Sequence, residues 1–80
     1  MSNREKYNRS FMESLSVDEA RLNGDLAYNT IPEWDSIAHM ALIASLEEAF
    51  QISLDTSDIV DFSSYNKGCE ILKKYGIEIS

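Results

Sequence analysis

The chain has one cysteine, one histidine and one proline. A lone Cys69 cannot close an internal disulfide, and it leaves a cysteine-based metal site without partners. We read it as a small hydrophobe of the interior. With His39 as the only imidazole, acid–base chemistry has little to work with. No apolar run approaches the roughly 20 residues of a membrane span. The N-terminal run Met1-Ser2-Asn3-Arg4-Glu5-Lys6 is polar and leads into no signal-type apolar stretch, so a cytoplasmic protein is expected. Basic residues are missing from the middle: every Lys and Arg lies within residues 4–21 or 67–74. Between those two segments stand Asp25, Glu33, Asp35, Glu47, Glu48, Asp55, Asp58 and Asp61. That surface repels nucleic acid and anionic membranes and attracts partners rich in Lys and Arg.

What remains is an 80-residue chain of formal net charge −7, with 44% hydrophobic residues. It is apolar enough to fold and short enough to make one small domain, residues 1–80, with a thin core. A lidded, walled active site has no room here.

The apolar spacing predicts four helices and no strand. The first runs from Asn3 to Leu15 behind a Ser2/Glu5 capping box, with Tyr7, Phe11 and Leu15 as its inner stripe and Met12 beside them. Residues 16–34 read as a long loop. Asn23-Gly24-Asp25 and Asn29-Thr30 supply turns there, Pro32 blocks a helix, and Val17, Leu22, Leu26, Tyr28 and Ile31 pin the loop down. A second helix begins at Asp35-Ser36, with Asp35 as N-cap, and ends near Phe50. Leu42, Ile43, Leu46 and Phe50 face its core side. Ile37, Met40, Ala41 and Ala44 widen the apolar surface beyond what packing needs. A short third helix covers Thr56 to Asp61, capped by Asp55 or Thr56, with Ile59 and Phe62 as anchors. The fourth follows Ser63-Ser64 and carries Tyr65, Gly68, Cys69, Leu72 and Tyr75 at helical spacing. Gly76 stops it, and Ile77 and Ile79 fold back. The expected fold class is all-α: a small four-helix bundle with three longer helices, a short third one and a long first loop.

Three candidate chemistries arise. Asp35, Ser36 and His39 are neighbours, but nucleophilic catalysis needs an oriented base, an oxyanion hole and excluded water, which an exposed helix start does not assemble. No enzyme activity is expected, and His39 is read as an exposed or partner-facing polar residue. Asp55, Asp58 and Asp61 recur at three-residue spacing but lack the Gly turn and terminal Glu of an EF-hand loop. No metal site is expected, and capping and solubility are their reading. Ser36 in the first turn of a helix is presented outward, near free amides and the positive dipole end that suit a phosphate. By itself it is a capping serine or a modification site.

Trp34-Asp35-Ser36-Ile37 followed by an apolar helix resembles the Asp-Ser-Leu signature of the acyl carrier protein family, which peptidyl carrier proteins share. The resemblance extends from about Lys6 to Tyr75. Leu15-Ser16-Val17 stands where the family has a Leu-Gly-Val-like step, and Leu22 and Tyr28 fall where its long loop lends core residues. Leu46-Glu47-Glu48-Ala49-Phe50 matches the family's Leu-Glu-Glu-x-Phe helix end. Ile52, Leu54 and the Asp-rich short helix follow in order, and Phe62-Ser63-Ser64-Tyr65 is similar to the step into its last helix.

The resemblance implies that Ser36 receives 4′-phosphopantetheine from coenzyme A through a carrier protein synthase, a phosphopantetheinyl transferase. The arm's thiol then holds an acyl, aminoacyl or ketide group as a thioester for lipid, polyketide or related biosynthesis. It implies a monomer whose second helix meets loading and transferring enzymes with basic or mixed basic-apolar surfaces, through Asp35, Ile37, Met40, Glu47 and Glu48. The departures are Ile37 for Leu, Trp34 for a small residue, and Ala38 and Ala41 for acids. They imply a specialised pathway carrier with apolar contacts near the arm. Cargo is expected in a cleft near Leu46 and Ile59, or exposed on the arm. An aminoacyl or peptidyl carrier is one alternative, and an unmodified acidic interaction module is another.

Overall fold

The computed structural model describes residues 2–79, leaving Met1 and Ser80 outside. Among the described residues it is all-helical, with α1 (Asn3–Leu15), α2 (Ser36–Phe50), α3 (Thr56–Asp61) and α4 (Tyr65–Lys74). Each starts as its sequence dictates. Ser2 Oγ accepts from the Glu5 amide and the Glu5 carboxylate accepts from the Ser2 amide, closing the capping box. Those bonds from Ser2 hold the Glu5 carboxyl below its ordinary value. Ser64 Oγ caps α4 by accepting from Lys67 N at 2.9 Å. Asp55 takes the N-cap position of α3 without a side-chain cap bond.

α4 is closed by Gly76 at φ 83°, as expected, whereas α1 and α2 end without glycine. Ser16, after α1, has φ 55°, and Gln51, after α2, also has φ 55°. Both adopt the left-handed turn that glycine favours.

α1 packs on α2. Tyr7, Phe11 and Leu15 meet Leu42, Ile43 and Leu46 in the core, joined from α4 by Tyr65, Ile71 and Leu72. Ile77 and Ile79 pack against it as expected. Phe50 is only half-buried and lies beneath the Lys6 ammonium, 5.8 Å from the ring centroid. Its place at the last turn of α2 carries it to the rim.

The loop between α1 and α2 is more structured than expected. It holds a turn of 3₁₀ helix at Glu19–Arg21, and Arg21 pairs with Glu33 at 3.3 Å. An isolated bridge joins Ala27 to Ser64, through Tyr28 N donating to Ser63 O and Tyr65 N donating to Leu26 O. The loop's core residues are Val17, Leu26 and Trp34, with Trp34 fully buried against Phe11 in a T-shaped pair at 5.5 Å. Tyr28, expected inside, is 39% exposed. The bridge faces Leu26 inward and leaves Tyr28 toward the surface, where its polar hydroxyl stays wet.

Asp58 departs from its expected role. It is 5% exposed, and its two carboxylate oxygens accept from Lys74 Nζ and Tyr75 Oη, each at 2.5 Å. Those hydrogen bonds hold its carboxyl below the usual range. Asp58 is therefore a clasp between α3 and the end of α4, not a solvated acid.

Candidate functional site

Asp35 closes the start of α2. Its Oδ1 accepts from Ala38 N at 2.9 Å and its carbonyl from His39 N at 2.8 Å. Ser36 is the first helical residue and is exposed. A helix leaves its first amides without intrahelical acceptors. Ala38's is taken by Asp35, and those of Ser36 and Ile37 have no acceptor among the described residues. Together with the dipole they make this corner favourable to an anionic oxygen.

Beside Ser36 runs a groove of about 330 Å³, walled by Tyr28, His39 and Met40 on one side of the sequence and by Ile59, Val60 and Phe62 on the other. Its rim is apolar: Met40 and Val60 are 53% and 75% exposed. Ile37, next to Ser36 in sequence, is 81% exposed. Val60 was not foreseen. A single valine inside the acidic Asp55–Asp61 segment has no periodicity to mark it, and only the docking of α3 beside α2 brings it to Met40.

His39 is not the free polar side chain expected. Trp34 Nε1 donates to His39 Nδ1 at 3.0 Å, and His39 Nε2 lies 2.9 Å from the Ile59 carbonyl. The indole can only donate and the carbonyl can only accept, so in this pair of bonds Nδ1 accepts and Nε2 donates. The indole and imidazole rings lie edge to edge across the Trp34–His39 bond, 6.1 Å between centroids and 24° between planes. Both ring nitrogens are thus engaged away from Ser36. The signal was Trp34-x-x-x-x-His39, one helical turn past an N-cap, which brings a loop tryptophan under a first-turn histidine.

The structure brings Asp35, Ser36, Ile37 and Met40 together and leaves the other two expected contact residues apart. Glu47 lies on the Ser36 face of α2 but about 16 Å down the axis. Its Oε2 accepts from Leu54 N at 2.8 Å, which fastens the α2–α3 connection. Glu48 is exposed and lines a different cleft, between α1 and α2, with Lys6 and Arg9. Leu46, expected beside the cargo, is fully buried and lines no part of the groove, whereas Ile59 does.

Among the described residues, no group of His, Cys, Asp and Glu is placed to hold a metal, and no helix is long and apolar enough to cross a membrane. Cys69, expected in the interior, is only half-buried, and that burial raises its thiol above the ordinary value. Comparison with protein-family models, with curated proteins and with solved structures finds no match for this chain.

Proposed function

We infer that the chain is a non-catalytic carrier whose Ser36 is the attachment point for 4′-phosphopantetheine. The observation that carries this reading is an exposed hydroxyl on the first turn of a rigidly capped helix, opening onto an apolar groove. The residues present fit the group. The two unbonded amides and the positive dipole end suit its phosphate, and the groove beside Ser36 suits the less polar portion. When bound, the arm supplies a thiol that holds acyl or related groups as thioesters.

The chain's own residues do the rest. Ser36 would present Oγ to a transferase, where it bonds the pantetheine-side phosphorus of coenzyme A's diphosphate, loses its proton and, as the P–O–P bond breaks, displaces adenosine 3′,5′-bisphosphate. Asp35 fixes the helix start that carries the hydroxyl. Ile37, Met40 and Val60 offer an apolar platform to enzymes that act on the cargo. The acids of the middle segment, with no nearby Lys or Arg in sequence, steer enzymes with basic rims.

The test is incubation with coenzyme A and a broad-specificity phosphopantetheinyl transferase, read by intact mass and by mapping the modified peptide. Addition at Ser36, absent from Ser36→Ala, is the expected result. No addition to the folded protein overturns the reading and leaves an acidic interaction module that works through the same exposed platform.

A further inference from the structure

A group tethered to Ser36 begins inside the groove, because Ser36 is part of its lining. From there it has two courses. One leads out over Met40 and Val60. The other would lead past the groove wall into the core, where Leu42 and Leu46 are fully buried. His39 stands across the second course. Its ring spans from Trp34 on one side to the α3 carbonyl of Ile59 on the other. Tyr28 and Phe62 hold the ring edgewise, with centroids 5.2 and 6.1 Å away. To admit a chain, the imidazole would have to turn away. The indole N–H of a residue with 0% exposure would then lose its acceptor, with no water to replace it.

We propose that His39 is the specificity-determining residue of this site: it shuts the bundle interior and confines whatever Ser36 carries to the open groove, which selects short or flat apolar acyl groups over long chains. That the tethered group is an acyl thioester rests on the carrier reading; the confinement itself rests on the groove and on His39.

The experiment separates the two. Ser36→Cys in a Cys69→Ala background leaves one thiol, to which butyl and dodecyl methanethiosulfonates attach as mixed disulfides with loss of methanesulfinate, with no transferase needed. Methyl resonances of Met40 and Val60 report the groove, and those of Leu42 and Leu46 report the interior. With both chains we expect the first pair to shift and the second to stay. Movement of Leu42 and Leu46 by the dodecyl chain, or no movement of Met40 and Val60 by either chain, overturns the proposal. Adding His39→Ala, or His39→Ser if the alanine variant does not fold, should let the dodecyl chain shift Leu42 and Leu46. An interior that stays silent in that folded variant means that His39 is not the barrier, and also overturns it. Intact mass of the natural sequence with coenzyme A and a transferase is read separately, and its failure removes the carrier reading while the tether result stands.

Discussion

Gly68 faces the Tyr7 hydroxyl so closely that a Cβ on it would come 2.1 Å from Tyr7 Oη and 2.3 Å from Phe62 Cζ. The hydroxyl cannot swing clear cheaply, because it donates a 2.6 Å bond to the Tyr65 carbonyl. Burial also pushes the Tyr7 phenol above its ordinary value. Helix propensity alone favours alanine over glycine by about 1 kcal/mol. Overpacking a filled core costs about 1–3 kcal/mol. Gly68→Ala is therefore expected to lower the urea midpoint despite its better propensity. A raised midpoint would show that Tyr7 yields freely.

The Trp34–His39 bond should appear as a coupling. His39→Leu leaves the indole N–H and the Ile59 carbonyl without their partner and is expected to cost about 1–3 kcal/mol. Once Trp34→Phe has removed the donor, the same change should cost less. A double-mutant cycle by denaturant unfolding is expected to give an interaction of about 0.5–3 kcal/mol. Strict additivity would mean that the bond contributes nothing.

Acid should loosen the clasp at Asp58. Hydrogen bonds from Lys74 and then Tyr75 hold its folded carboxyl below the unfolded value of about 3.9. A depressed carboxyl gives stability that is present above that unfolded value and fades as pH falls through the folded one. Asp58→Asn should lower stability at neutral pH and flatten its loss between neutral and strongly acid solution, followed by thermal melts across pH. An acid limb as steep in the variant as in the natural sequence would place the sensitive group elsewhere.

Ser36 and Asp35 should separate chemistry from folding. Ser36→Ala changes an exposed residue and is expected to alter stability by no more than about 0.5 kcal/mol while preventing any mass addition. Asp35→Ala removes a capping bond and should cost about 0.5–2 kcal/mol, with slower modification because the helix start frays. A Ser36→Ala protein that still gains mass would put the attachment elsewhere.

The fold was legible because its signals are local. The four-residue spacing of Tyr7, Phe11 and Leu15, the capping box at Ser2 and the N-cap at Asp35 each fix an element from neighbouring residues alone. The site was only half legible. Asp35, Ser36, Ile37 and Met40 share one turn of one helix, so the sequence places them together. Val60 and the groove arise from how α3 lies beside α2, which no local pattern records. His39 and Asp58 read as solvent-facing in the sequence because a polar residue near a helix start or in a short helix usually is. Their partners, Ile59 O and Tyr75 Oη, come from other elements, and the bonds that make burial tolerable exist only after docking. Leu26 goes inside as expected and Tyr28 does not, because one backbone bridge to residues 63–65 decides which of them turns inward.

That bridge has a meaning in time. Tyr28 N to Ser63 O and Tyr65 N to Leu26 O join segments with α2 and α3 lying between them in sequence. The helices grow from near neighbours, but this tie closes a long stretch of chain and gains nothing until both helices have docked. It should form on the downhill side of the folding barrier. Leu26→Ala would then leave the refolding limb of the chevron in place and lift the unfolding limb. The loop above Ser36 would act as the fastening that sets how long the molecule stays shut, with little say in how quickly it assembles.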